Sequence, residues 1–251
     1  MSGSVGYEER RNEILTRLEK NGSVRLEEVT AYFNVSAMTV RRDLGTLESE
    51  GLLRRVRGGA VATVRPEGFG ARQAANAAAK AEIARKALPL MPLAGAVAMD
   101  ASSTVAALAA AVKERTSLLV ATNSIPTFTA LRQGEQIQPL MVGGSLEETT
   151  GSFVGPLACH AAGMMLYSHF FTSASAVHPE FGTSEASLMD SQVKHIFARS
   201  AAEVMLCVDS SKMGARSIAV GFPWSSVDLL ITELDPDDER LDPFRDRVSL
   251  L

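Results

Sequence analysis

Apolar positions recur at helical spacing three times in the first 50 residues. In EERRNEILTRLEKNG, Ile14, Leu15 and Leu18 share a face, and Asn21-Gly22 supplies a stop. In RLEEVTAYFNV, Leu26, Val29 and Phe33 repeat the pattern, and Asn34 suits the left-handed residue that ends a helix. Ser36 is a good N-cap for a third helix, AMTVRRDLGTLESEG, which stops at Gly51. LLRRVRGGAV then switches to alternation and predicts a small hairpin with Gly58-Gly59 in or near its turn. Residues 62–76, rich in Ala, Gly and polar side chains, predict a linker running into a helix, AKAEIARKAL. From about residue 94 short apolar runs alternate with helical stretches: GAVAMD, LLVATN, QPLMVGG, HFFTSAS, EVMLCVDSSK and VDLLITEL, with a helix expected near 186–200. Runs of this length with helices between them predict a mostly parallel sheet covered on both faces.

The pattern therefore divides the chain into a mainly α front part (1–61), a linker or hinge (62–80) and an α/β body (81–251). Composition supports a folded chain: 46% of the 251 residues are hydrophobic and 22% charged, which excludes disorder by composition. Two cysteines, Cys159 and Cys207, are too few for a disulfide-stapled secreted module and read as small buried hydrophobes. With no apolar run of membrane-spanning length and no signal-peptide core, the expectation is a cytoplasmic chain. The net charge of −4 argues against nucleic acid until it is divided: residues 1–65 carry +2 and the remainder −6. Basic side chains cluster in the front part, at Arg41-Arg42 and at Arg54, Arg55 and Arg57. Such asymmetry fits a polyanion-facing module on an acidic body, the bland alternative being a solvated charged face.

On the third helix, Val40, Leu44 and Leu47 fall on one face. Met38, Arg42, Gly45 and Ser49 fall opposite, with Thr39 and Arg41 on the flanks. A short helix, a tight turn and a second helix of this kind can lie in a major groove, where arginines grip guanine edges or phosphates. Ser36 and the first backbone N–H groups can hold a phosphate, and Arg54, Arg55 and Arg57 would form a wing beside the duplex. Asp43 is out of place against DNA and is expected to be structural, paired with a neighbouring arginine. Gly45 costs about 1 kcal/mol against Ala; either close approach to DNA or tolerance at a surface explains it.

In the second half, Asp100-Ala-Ser-Ser-Thr104 closes an apolar run and opens a helix. Thr122-Asn123-Ser124, Gly143-Gly144-Ser145 and Asp209-Ser-Ser-Lys212 end three more runs. Hydroxyls, an amide, glycines and a lysine at strand ends suit a small phosphorylated polyol; ordinary helix capping is the alternative. The four histidines, His160, His169, His178 and His195, lack metal-ligand spacing, so no metal is expected. Trp224 is expected to pack a loop, and the acidic stretch ELDPDDERLD to be a solvated end.

Val35, Ser36, Thr39, Val40, Arg41, Arg42, Asp43, Leu44, Leu47, Glu48, Gly51, Leu53, Arg55, Gly58, Gly59 and Ala60 fit one pattern within 26 residues. That pattern resembles the DNA-binding domain of the DeoR family of bacterial transcriptional regulators. Arg25 departs from it where a Ser or Thr would cap the second helix. The resemblance continues through Phe69, Arg72, Asn76 and Lys80, through DASST, ATNS, VGG and SFVG, and through VKHIFARSAAEVMLCVDSSKMG. It implies a winged helix-turn-helix followed by a ribose-5-phosphate-isomerase-like sensor that binds a phosphorylated sugar or related metabolite. By position in the family, Asp100, Ser102, Ser103, Thr104, Asn123, Gly143, Gly144, Lys194 and Lys212 would form the effector site. Ser36, Met38, Thr39, Arg41, Arg42, Arg54, Arg55 and Arg57 would meet operator DNA. Ser102 and Ser175 stand where the family has glycine, and His178 where an acid is common. These departures bear on which ligand binds, or whether one binds.

The expected function is a regulator, most often a repressor, of a sugar-use operon, without cofactor and acting as a homo-oligomer, dimer or tetramer. Two other readings remain open. A sugar-phosphate isomerase needs a carboxylate base, and the SASAVHPEFG loop offers only His178 and Glu180. A helix-turn-helix adaptor without an effector would not need five arginines on the outward face and wing.

Overall fold

The computed structural model describes residues 6–21, 23–49, 52–62, 68–112, 117–134 and 137–251, which fall into two compact units, 1–65 and 66–251. In the first unit, α1 (Tyr7–Asn21) opens with Glu8 and Glu9, favourable at a helix N-terminus. A strand β1 (Ser23–Arg25) leads directly into α2 (Leu26–Phe33). Asn34, at φ 51°, ends α2 in the left-handed conformation expected of it. Arg25 stands at the N-cap of α2 without a side-chain cap bond. The Ser36 Oγ accepts from the Thr39 N–H at 3.1 Å and starts α3 (Ala37–Ser49). Ile14, Leu18, Val24, Val29, Val40, Leu44, Leu47, Leu53 and Ala60 close the core between the helices and the sheet.

Strands β2 (Leu53–Val56) and β3 (Gly59–Ala62) form the expected hairpin, turning at Arg57-Gly58. The hairpin is extended by β1, giving the order β1-β3-β2. At Gly59 a Cβ would lie 2.0 Å from the Val24 carbonyl oxygen, so only glycine lets β1 and β3 approach. Three residues between two helices carry no readable period, and β1 was not foreseeable from the pattern.

The second unit begins with α4 (Phe69–Ala74) and α5 (Ala77–Ala87). Then follow β4 (Gly95–Met99), α6 (Ser103–Ala111), β5 (Leu118–Thr122), α7 (Ile125–Leu131) and β6 (Ile137–Met141). A hairpin of β7 (Ser145–Glu147) and β8 (Ser152–Val154) precedes α8 (Pro156–Ala162) and β9 (Tyr167–Thr172). Strands β10 (Ala176–His178) and β11 (Gly182–Glu185) lead to α9 (Leu188–Arg199) and β12 (Ala201–Cys207). The chain ends with β13 (Ala219–Val220), β14 (Leu229–Ile231) and β15 (Ser249–Leu250). The main sheet has seven strands in the order β15-β14-β12-β9-β4-β5-β6, every neighbouring pair parallel. Side chains alternate between two buried layers. Ala98, Ala121, Phe170 and Leu206 pack toward α8 and α9; Val97, Val120, Phe171 and Met205 pack in the layer that holds Ile83 of α5 and Leu108 of α6. A small antiparallel sheet, β10-β11-β13, is separate from the main one.

Three expectations are corrected. Of the segment 62–80 read as a linker, residues 68–80 pack in the second unit: Lys80 is buried and donates to the Arg72 and Ala75 carbonyls. Residues 63–67 lie outside the described ones. The acidic end is not simply solvated, because Leu234, Leu241 and Phe244 are buried and β15 pairs with β14. Cys207 is buried, but Cys159 is only half-buried. Trp224 packs as expected, buried edge-on to Phe244 and donating from Nε1 to the His178 carbonyl at 3.0 Å. No helix among the described residues is long and apolar enough to cross a membrane.

Candidate nucleic-acid interface and strand-end cluster

Helix α3 sorts its residues as the 100° period requires. Val40, Leu44 and Leu47 are buried, while Met38, at 67% exposure, Arg41 and Arg42 are open to solvent and Thr39 is half-buried. Asp43 is also buried and is paired with an arginine, but not a sequence neighbour: Arg10 of α1 donates from Nε at 2.7 Å and from Nη2 at 3.3 Å. This pair ties α3 to α1 and fixes the rotation of the helix about its own axis. A cleft of about 380 Å³ between α3 and the hairpin is lined by Leu26, Arg41, Leu44, Arg55, Val56, Arg57, Gly58 and Gly59. Arg55 is held by Glu48, with Nε 3.0 Å from the carboxylate and its backbone N–H donating at 2.8 Å. Arg57 is exposed at the turn, and the Arg54 side chain lies outside the described residues. A Cβ on Gly45 would come within 3.4 Å of Arg55 Nη1, so the glycine lies beneath the wing arginine.

In the second unit Asp100, fully buried, ends β4 and accepts from the Ser102 N–H at 2.9 Å, the Thr172 hydroxyl at 2.8 Å and the Ser173 N–H at 2.9 Å. Lys194 of α9 reaches the same point, 3.1 Å from Asp100 and 2.9 Å from Glu185, and donates to the Ser173 carbonyl at 2.9 Å. Ser175 donates to the second Glu185 oxygen at 3.2 Å. Asp190, one helical turn before Lys194, accepts from the Ser152 hydroxyl at 3.3 Å. That hydroxyl is 2.7 Å from Thr150, which donates to Glu147 at 2.9 Å.

Burial pushes the Asp100 carboxyl up, but Lys194 and the bonds from Ser102 and Ser173 outweigh it, and its pKa lies below the ordinary value. For Glu185 burial prevails over the attraction of Lys194, and its pKa is raised. Asp190 is likewise raised by burial, opposed by Lys194 and Arg72. Burial would discharge Lys194, but Glu185, Asp100 and Asp190 together hold its proton more tightly than usual. The cluster is a buried ammonium between acids, one of them held firmly ionised.

The expected effector residues are distributed around this centre. Ser102 caps α6 by accepting from the Val105 N–H at 3.1 Å, the ordinary capping role. Ser103 donates to the Arg72 carbonyl at 3.2 Å. Thr104 is buried in the first turn of α6. The N–H groups of Ser103 and Thr104 belong to the helix start, where backbone donors have no partner within the helix. Asn123, just after the neighbouring strand β5, donates to the Phe153 carbonyl at 3.0 Å and so pins β8 to the end of β5. Gly143 is exposed beyond β6, whereas Gly144 is a packing position: a Cβ there would meet the Val154 carbonyl at 2.6 Å. Lys212 stands half-buried after β12, on the other side of β9 from Asp100.

Several members of this arrangement carried no motif. The SASAVHPEFG loop indeed leaves Glu180 exposed and turns His178 to Arg216, 3.5 Å away. The acids at the centre come from further along, outside that loop: Glu185 on β11 and Asp190 on α9. The Asp190–Lys194 spacing of four on a helix was the available signal. Glu185 had only its isolation in an uncharged stretch. Both Glu185 oxygens are engaged, by Lys194 and by Ser175, and so are both Asp100 oxygens.

Residues 10–65 match the model of the DeoR-like helix-turn-helix domain, and residues 75–234 that of the DeoR C terminal sensor domain. The lactose phosphotransferase system repressor of Lactococcus lactis subsp. lactis is 30% identical over 249 residues, covering 96% of this chain and 97% of that protein. A putative aga operon transcriptional repressor of Escherichia coli O157:H7 is 28% identical over 235 residues, covering 91% and 87%. Among solved structures, ribose 5-phosphate isomerase A of Methanocaldococcus jannaschii aligns over 55% of each chain with a TM-score of 0.42 and 16% identity. With both domain models matched in order, and a relative of this identity spanning nearly its whole length, the chain belongs to the DeoR family of transcriptional regulators.

Proposed function

We propose that the chain represses a sugar-use operon in the cytoplasm, gripping operator DNA through α3 and the wing. Its grip would respond to a small phosphorylated sugar or related metabolite held at the strand ends of the second unit. The observation that carries the DNA half is the outward face of α3. Arg41, Arg42 and Met38 are solvent-exposed on a helix whose rotation is fixed by the buried Arg10–Asp43 pair. In this reading Arg42 and Thr39 meet base edges, Ser36 with the α3 N-terminus takes a phosphate, and Arg41, Arg54, Arg55 and Arg57 track the backbone. A homo-oligomer, dimer or tetramer, presents two such helices to two half-sites.

For the sensor half, the N-terminus of α6 at Ser102–Thr104, Asn123, Gly143 and Lys212 supply donors and space for an anion and its hydroxyls. Asp100 and Lys194 organise the floor beneath them. The relatives named for lactose and aga operons support a carbohydrate-derived effector. Fluorescence anisotropy on DNA from upstream of the gene tests the first half. Arg42→Ala is expected to weaken binding by roughly 1–3 kcal/mol; unchanged affinity contradicts the face assignment. A thermal-shift panel of pentose and hexose monophosphates tests the second, and no response to any of them contradicts it.

A further inference from the structure

Helix α4 is the first described element after the DNA-binding unit, and it is held in an unusual way. None of its residues is buried. Instead, polar bonds attach it to three different strand-end segments. The Phe69 N–H donates to the Thr149 carbonyl at 3.0 Å, in the β7–β8 turn. The Arg72 carbonyl accepts from Ser103 at 3.2 Å, at the start of α6, and it and the Ala75 carbonyl also accept from the buried Lys80 of α5. Just after the helix, the Asn76 side-chain amide donates to Asp209 and to the Ser211 hydroxyl, both at 3.0 Å, in the turn after β12 that carries Lys212. Asn76 itself is left-handed, at φ 52°.

An element held mainly by hydrogen bonds, with Phe69 its one half-buried large apolar side chain, opens readily. Its partners here are the groups, or the immediate neighbours of the groups, that the proposed effector would engage. A ligand on Ser103 or on the Lys212 turn therefore changes the partners of α4 before it changes anything in the core. We propose that α4 reports the state of the strand-end site to the DNA-binding unit, with Asn76 and Ser103 as the positioning residues that hold it docked. This rests on the regulatory reading above and adds the element that transmits. Docked α4 fixes where the DNA-binding unit is tethered. Released α4 lengthens the tether and lowers the effective concentration of the second reading helix at its half-site.

The test uses the full chain without ligand and two variants. Asn76→Gly removes the amide while keeping the left-handed backbone unstrained. Asn76→Asp places a carboxylate against Asp209. Hydrogen exchange of residues 69–76 and anisotropy on the upstream DNA are read together. The expected result is at least tenfold faster exchange in α4, unchanged exchange in α3, and at least fivefold weaker DNA binding in both variants. Faster exchange in α4 with DNA affinity within twofold of wild type overturns the proposal. So does unchanged exchange in Asn76→Asp, since docking would then not depend on Asn76. A wild-type chain that does not bind the DNA refutes the regulatory reading itself, and this inference with it.

Discussion

Replacing Lys194 with Met isolates the electrostatics of the second unit. The ammonium lies 3.1 Å from Asp100 and 2.9 Å from Glu185, with the Lys194 and Glu185 side chains about 5–6% exposed and that of Asp100 fully buried. Met keeps the length of the apolar stem, so packing changes little. What remains is two carboxylates buried without their cation, and breaking a buried pair from one side costs about 3–5 kcal/mol. In a unit of this size each kcal/mol lowers Tm by about 2–4 °C, so the loss is roughly 6–20 °C. Trp224, the sole tryptophan, is buried in the second unit, so its fluorescence in a urea titration follows this unit alone. The pH dependence has a definite sign. Without Lys194 the folded pKa values of Asp100 and Glu185 rise above their unfolded ones, and the folded state holds protons that the unfolded chain releases. Stability then falls as pH rises from the unfolded pKa, roughly 4, toward the raised folded values. The deficit should be larger at pH 8 than at pH 5, and a second change, Glu185→Gln, should recover part of it. A loss below about 1 kcal/mol at pH 7.5, or a deficit deeper at pH 5, would refute the assignment of Lys194 as the buried counter-ion.

Asp43→Ala removes the carboxylate that Arg10 holds at 2.7 Å and should destabilise the first unit by about 3–5 kcal/mol, read as faster hydrogen exchange in α1 and α3 with Trp224 unfolding unchanged. The exposed neighbour change Arg41→Ala should stay within about 0.5 kcal/mol in the same measurement. Gly59→Ala forces a methyl group toward the Val24 carbonyl and should cost on the order of 1–3 kcal/mol while releasing the β1–β3 amides to exchange; retained protection there would contradict the close approach. Lys212→Ala should leave DNA affinity without ligand unchanged and abolish the shift that a sugar phosphate produces.

Much of the architecture was legible because local signals and burial agree. Asn34 ends its helix, Ser36 caps the next, and the alternation in HFFTSAS and EVMLCVD puts Phe170 and Phe171, or Leu206 and Met205, on opposite layers. The motif of the first unit located the exposed arginines of α3 for the same reason, since the period that buries Val40 and Leu47 turns Arg42 outward. What stayed hidden depends on contacts distant in sequence. Arg10 and Asp43 are 33 residues apart, and nothing in either segment names the other. Asp100 meets Lys194, and Glu185 comes beside them, only because β11 and α9 return over the end of β4. The 68–80 segment looked like a linker because its anchors are polar bonds to carbonyls and side chains far along the chain, which leave no apolar stripe to read.

Reciprocal coupling between the two units tests the account most directly. Once a sugar phosphate that shifts the thermal transition is in hand, its affinity is measured on the free chain and on the chain saturated with its upstream DNA, beside the DNA affinity with and without it. The account predicts that both ratios are equal and lie at about 5–150-fold. A metabolite that binds tightly at the strand ends yet leaves both ratios at one would contradict it.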